Sequence, residues 1–212
     1  MLNNTGFDLW ADDYDKAVGL SDEDGTYPFA GYRAVLGEIY SRVLARGAHA
    51  VLDIGFGTGT LTARLYSRGC RIYGQDFSAR MLALAQPQMP DATLVQADFA
   101  KGLAQPLTQV KYDAIIATYA LHHLTDAQKI ALLQSLLPLL NDGGCILIGD
   151  VAFADRASLE ACRAAAGDGW DADEFYFVYD ELHQHFPYMT FEKKSHCAGV
   201  IAIFTVPAEG MV

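Results

Sequence analysis

The sequence predicts an α/β protein: a parallel, doubly wound sheet with helices on both faces. Three observations carry this. Strand-like and helix-like runs alternate through five β/α units between residues 48 and 166. The first strand-like run ends in a glycine-rich turn, "DIGFGTGT". Two further strand-like runs follow near the end with only a few residues between them, as in a hairpin.

Taken in order, "YPFAGYRAVLGEIYSRVLARG" (27–47) has the spacing of an amphipathic helix and stops at Gly47. "AHAVLDIG" (48–55) is a short apolar run ending in glycine, the pattern of a buried strand. "TLTARLYSRG" (60–69) places Leu61 and Leu65 on one helix face and ends at Arg68-Gly69. "RIYGQD" (71–76) is the second strand. "SARMLALAQ" (78–86) follows as a helix, with Ser78 as N-cap and Pro87 as stop. "ATLVQAD" (92–98) and "YDAIIAT" (112–118) are the third and fourth strands. Thr125-Asp126-Ala127-Gln128 matches a capping box, so a helix runs from Asp126 to about Leu140 and closes at "NDGG". "CILIGDVAF" (145–153) is the fifth strand, 156–166 a helix, and 167–174 a loop rich in Gly and Asp. The hairpin strands are "YMTFEKKSH" and "AGVIAIFTV".

A chain of 212 residues has room for one such domain and a small lid. Apolar residues make up 51%, which excludes a disordered chain. The net charge of −11 repels a polyphosphate backbone, and no basic run offsets it, so no nucleic-acid partner is expected. The first fifteen residues carry neither a basic region nor an apolar run, so no signal peptide is expected. No apolar run reaches the ~20 residues of a membrane helix, so no membrane partner is expected either. Cys70, Cys145, Cys162 and Cys197 are widely spaced and form no CxxC, which argues against zinc or a disulfide framework. A reducing cytoplasm fits this composition.

The glycine turn carries the first functional signal. Gly55, Gly57 and Gly59 sit at alternate positions between a strand and a helix, where the absence of Cβ lets the backbone approach a ligand. The third glycine comes one residue too early for the GxGxxG of dinucleotide enzymes, and no GK[ST] follows to make a phosphate loop. Asp76 ends the second strand 21 residues after Gly55, the place of a carboxylate that accepts ribose hydroxyls. Asp98-Phe99 ends the third strand, where a carboxylate beside a ring suits an adenine. With Asp53, these groups fall on one edge of the sheet.

Together "VLDIGFGTGTLTARL", "YGQDFSARML", "VQADF", "YDAIIATYALHHL" and "LLNDGGCILIGD" resemble the class I S-adenosylmethionine-dependent methyltransferases. The resemblance implies a Rossmann-like seven-stranded sheet, order 3-2-1-4-5-7-6 with strand 7 antiparallel. It implies one domain, with a cap and helix over 1–46, a cofactor-binding core over 47–153, and substrate-side helices and hairpin over 154–212. The implied cofactor is S-adenosyl-L-methionine. Gly55, Gly57 and Gly59 would pack against its methionine part, with Asp53 near the amino group. Asp76 and the following Phe77 would hold the ribose side, Asp98 and Phe99 the adenine, and Thr118 and Tyr119 would border the methionine end. "WADDYD" (10–15), "FAGYRAVL", "TYALHHLTD" and "FEKKSH" are similar to small bacterial methyltransferases of the YrrT type, in which "WADDYD" would be a cap and Tyr14 would lie near the cofactor.

Methyl transfer from a sulfonium is an in-line displacement, so the protein must chiefly align the partners and exclude water. Trp10, Tyr14, Tyr27, Tyr32, Tyr176 and Tyr179 cluster in two segments outside the sheet and are read as a lid whose rings favour a cation. The fourth strand ends in "ATYA", without the Asn/Asp-Pro-Pro-aromatic motif of amine methylation in nucleic acids or glutamine. A small-molecule acceptor is expected. His122 and His123 are consecutive, and adjacent side chains in an extended segment diverge, so a shared metal is not expected. His122 is read as structural. For His123 a catalytic base near neutral pH and a structural role both stand. His196 is a second, weaker base candidate. Competing functions are a cofactor-binding sensor without catalysis and an NAD-dependent oxidoreductase, the latter opposed by the glycine spacing.

Overall fold

The computed structural model of the protein describes residues 25–205. Trp10 and Tyr14, with the expected cap, lie outside the described residues. Helix α1 (Tyr32–Ala45) starts after Gly31, whose φ of 83° is left-handed, and buries Val35, Ile39 and Val43 at four-residue spacing. Strand β1 (Ala50–Ile54) is buried throughout. It is followed by α2 (Thr62–Tyr66), β2 (Arg71–Asp76), α3 (Ala79–Ala85) and β3 (Thr93–Gln96). Next come α4 (Gln105–Thr108), β4 (Tyr112–Thr118), α5 (Asp126–Leu136), β5 (Leu140–Phe153) and α6 (Arg156–Ala166). The described chain ends with β6 (Phe177–Val178), α7 (Tyr179–His183), β7 (Met189–Lys193) and β8 (Ala198–Phe204).

The sheet runs β3-β2-β1-β4-β5-β8-β7, with β8 antiparallel to both neighbours and the other pairs parallel. This is the expected path. The strand numbers differ because β6, two residues long, pairs in parallel with Ala152 and Phe153 and was expected as loop or lid. Successive strand residues feed opposite layers, as the pleat requires. Val51, Ile116 and Leu147 join α1 on one face, while Leu52, Ile115, Ile146 and Ile148 join Leu132, Leu133 and Leu136 of α5 on the other. Each such buried aliphatic side chain contributes ~1.5–3 kcal/mol. At Gly149 a Cβ would lie 2.3 Å from Val35 Cγ1 and 2.8 Å from Ile39 Cδ1, so α1 rests directly on the backbone of β5.

Both expected caps form. Ser78 Oγ accepts from the Met81 amide at 3.1 Å, and Thr125 and Gln128 close the capping box. The "NDGG" segment is a correction: it does not end a helix but opens β5, because Leu140 already pairs with Tyr112 across a register shift. Pro87 does not stop the chain's helical course at once; Gln86–Gln88 adds a 3₁₀ turn, with Pro87 where its missing amide costs nothing. None of the described helices is long and apolar enough to cross a membrane.

Candidate active site

A cavity of about 440 Å³ opens at the carboxyl ends of β1, β2, β4 and β5. Its floor is built by the turn after β1. Asp53 is 1% exposed; its Oδ2 accepts the Thr62 hydroxyl, and Oδ1 has no hydrogen-bond partner among the described residues. Burial pushes the Asp53 carboxyl up to about 7, against the Thr62 hydrogen bond and with help from the Asp76 charge. Gly55 has φ 73°, and a Cβ there would lie 2.4 Å from the Ala120 Cβ, so the turn lies flush against the exit of β4. Gly57 donates its amide to Asp76 Oδ2 at 2.9 Å, and Ser78 donates its amide to Asp76 Oδ1 at 2.9 Å. Asp76 therefore ties the glycine turn to the end of β2.

Asp53, Gly55, Gly57, Asp76, Phe77, Phe99, Thr118 and Tyr119 all line the cavity. Gly59 does not. Its place is in packing: a Cβ there would meet Met89 Cε at 3.1 Å and Ala85 Cβ at 3.3 Å, so its bareness seats α3. Asp98 is also absent from the lining. Its carboxylate accepts the Ala100 amide at 2.9 Å, capping its own 3₁₀ turn, and pairs with Lys101 at 3.3 Å on the surface. Tyr119 adopts a left-handed backbone, φ 48°, uncommon for a tyrosine, and turns its ring onto Tyr32 and Phe29 at 5.0 and 5.5 Å. Tyr27 and Tyr32 of the expected lid line the cavity, whereas Tyr179 stacks on Phe191 and His196 is exposed, both away from it.

The other end of the cavity is where sequence reasoning fell short. Leu121–His123 is a 3₁₀ turn, not an extended segment, and the rings of His122 and His123 meet edge to face at 4.2 Å. His122 Nδ1 bonds Asp150 Oδ1 at 2.6 Å, and its Nε2 lies 3.4 Å from Glu174 Oε1. His123 Nδ1 lies 3.9 Å from the same oxygen. The expected divergence of the two side chains is thus corrected, and a third group stands beside them. Glu174 Oε2 accepts from the Tyr176 hydroxyl at 2.7 Å, and that hydroxyl bonds Tyr27. Burial opposes protonation of His122, but the charge and hydrogen bond of Asp150 and the charge of Glu174 outweigh it and raise its pKa. Burial and the neighbouring His122 push His123 down to about 3. Burial raises Glu174, opposed by His122 and Tyr176.

Asp150 and Glu174 were not singled out from sequence. Asp150 carries the same signal as Asp76, an acidic residue near the carboxyl end of an apolar strand. Glu174 has no local signal: it reaches the histidines because Phe175 donates its amide to the His122 carbonyl at 2.8 Å and Lys129 donates to the Phe175 carbonyl. Among the described residues that line the cavity none is Lys or Arg, while Asp53, Asp76, Asp171 and Glu174 are acidic.

Residues 51–144 match the family described as "Methyltransferase domain". An uncharacterized methyltransferase of Geobacillus thermodenitrificans is 38% identical over 184 residues, covering 83% of this chain and 82% of the relative. The chain is a class I S-adenosylmethionine-dependent methyltransferase. A second relative of this methyltransferase, from Bacillus pumilus, is 34% identical over 198 residues, 90% of this chain and 89% of its own. Among solved structures, the DhpI complex with S-adenosylhomocysteine superposes with a TM-score of 0.69 at 18% identity, over 98% of this chain and 96% of that one. Magnesium protoporphyrin IX methyltransferase of Synechocystis, also with S-adenosylhomocysteine, superposes with a TM-score of 0.65 at 18% identity, over 84% and 85% of the two chains. The methyltransferase shares the fold of both.

Proposed function

We propose that this methyltransferase acts on a small-molecule acceptor that is neutral or cationic, seated between Tyr27, His123 and Glu174. The observation that carries this reading is the cavity's charge: four acidic groups and no Lys or Arg among the described lining residues. Among the described residues no lysine or arginine stands there to replace the hydration of a carboxylate or phosphate, and the Glu174 carboxylate beside it disfavours either. When bound, the cofactor supplies a methyl group on a positively charged sulfur. The residues present suit that cofactor. Asp53 Oδ1, buried and unpartnered, suits its ammonium group. The bare Gly55 and Gly57 let the backbone approach its methionine part, Asp76 suits two ribose hydroxyls, and Phe77 and Phe99 suit an adenine face. Tyr27, Phe29, Tyr32 and Tyr119 wall the reacting end, where rings exclude water and favour a cationic sulfur. His123 stays a candidate catalytic contact there; its low proton affinity suits orienting the acceptor better than storing its proton.

Two measurements test this. Calorimetry with S-adenosylhomocysteine should show binding to the parent and a loss of about two orders of magnitude for Asp76→Ala, taking ~1.5–3 kcal/mol per hydrogen bond to a charged group. Undiminished binding would refute the Asp76 assignment. Release of S-adenosylhomocysteine, followed over acceptor pools sorted by charge, should be confined to the neutral and amine pools. Turnover confined to the anionic pool would refute the acceptor class.

A further inference from the structure

We propose that His122, His123 and Glu174 bind one divalent transition-metal ion, zinc or a close relative, at the acceptor end of the cavity. One ligand atom from each lies within 4.8 Å of the others. Zn–N and Zn–O bonds of ~2.0–2.2 Å set neighbouring ligand atoms about 3–3.5 Å apart. His122 Nε2 is 3.4 Å and His123 Nδ1 3.9 Å from Glu174 Oε1, so on these two edges closure needs shifts of a few tenths of an ångström, and the histidine ligand atoms lie within 4.8 Å of each other.

The groups around the triad are those that metal ligands use. Asp150 holds His122 Nδ1 at 2.6 Å, which fixes the ring and turns Nε2 toward Glu174. Asp150 is itself fixed, since Oδ1 also accepts the Val151 amide at 2.8 Å. Tyr176 occupies Glu174 Oε2 at 2.7 Å and leaves Oε1 facing the histidines. The bond from the Phe175 amide to the His122 carbonyl, 2.8 Å, locks the two segments together, so the set is assembled before any ion arrives. Two imidazoles and one carboxylate select zinc, iron(II), cobalt or nickel over magnesium or calcium, which prefer all-oxygen sites. All three residues line the cavity, so an ion there keeps positions open on the acceptor side. Its use to the reaction rests on the functional reading above: an acceptor oxygen or nitrogen would complete its coordination. The binding itself does not depend on that reading.

The test is titration of the tag-free full chain, stripped with a chelator, with Co²⁺ and then Zn²⁺. One Co²⁺ per chain should bind with visible d–d absorption and be displaced by Zn²⁺, while Mg²⁺ in excess should not compete. Glu174→Gln and His123→Ala, both only part-buried in the parent, should each weaken Co²⁺ binding at least about tenfold. Circular dichroism and S-adenosylhomocysteine binding report whether each variant is folded. Absence of stoichiometric Co²⁺ binding overturns the site, as does equal affinity in both folded variants. A thiolate-to-cobalt charge-transfer band would place the ion on cysteine and also overturn it. Failure of S-adenosylhomocysteine to bind the parent would count against the cofactor reading and not against the metal site.

Discussion

At the scale of single residues, Asp53 makes the sharpest demand. Its carboxyl is moved from 3.8 to about 7, mainly by burial. Between those values the folded, ligand-free protein keeps a proton that the unfolded chain releases. The sign follows: this contribution to stability is full below about 3.8 and is lost as pH rises to about 7. An ammonium partner needs the ionised carboxylate. Cofactor affinity should therefore climb with pH up to about 7 and then level off, with a proton released on binding below that point. Calorimetry in buffers of differing ionisation heat checks this, and Asp53→Asn should flatten the slope. A slope that survives the substitution belongs to another group. That Asp53, Gly55, Gly57, Asp76, Phe77 and Phe99 share one cavity was legible, because they sit where a strand meets its turn. Asp98 shows the limit. Whether a strand-end carboxylate faces a ligand or caps its own turn depends on its rotamer, which spacing does not encode. The histidines show another: residues in a 3₁₀ turn lie about 120° apart rather than opposed, so neighbouring rings can meet.

At the scale of elements, the contact between α1 and β5 is built around a missing side chain. Gly149→Ala would set a Cβ 2.3 Å from Val35 Cγ1 and should destabilise the fold by ~1–3 kcal/mol. Val35→Ala alone leaves a gap and should also cost stability. Together the two should cost less than their sum, since each relieves the other. Urea denaturation of the four proteins measures this, and strict additivity would mean that α1 shifts aside instead. The capping box at Thr125 and the cap at Ser78 were readable because they satisfy helix amides with residues three positions away. Strand β6 was not. Phe177 and Val178 become a strand only because Ala152 and Phe153 offer them an open edge, a partner 25 residues earlier in the chain.

At the scale of the whole molecule, two halves of the chain meet at a buried lysine. Lys129 of α5 is 1% exposed; its ammonium bonds Asp126 at 3.0 Å, donates to the Phe175 carbonyl, and lies 4.5 Å from the Phe177 ring centre. It holds the segment carrying Glu174 and Tyr176 against the core. Lys129→Ala should cost ~2–4 kcal/mol, from the vacated space and a buried carbonyl without its donor. Hydrogen exchange should quicken first around 174–178; uniform quickening would show that the lysine serves global stability alone. Fold class and strand path were legible because alternation and glycine placement repeat across the chain. The histidine end of the cavity was not, because it joins residues 122–123, 150 and 174, which share no local pattern.

The placement of β8 has a consequence for how the protein is made. It is the last strand of the described chain, yet it lies between β5 and β7. On the ribosome, β1 to β5 emerge first and can assemble in parallel. Until residues 198–204 clear the exit tunnel, β5 offers neighbouring nascent chains an open row of amides and carbonyls flanked by apolar side chains. Pairing of residues 198–204 with β5 closes that edge, and the same strand is what joins β7 to the sheet.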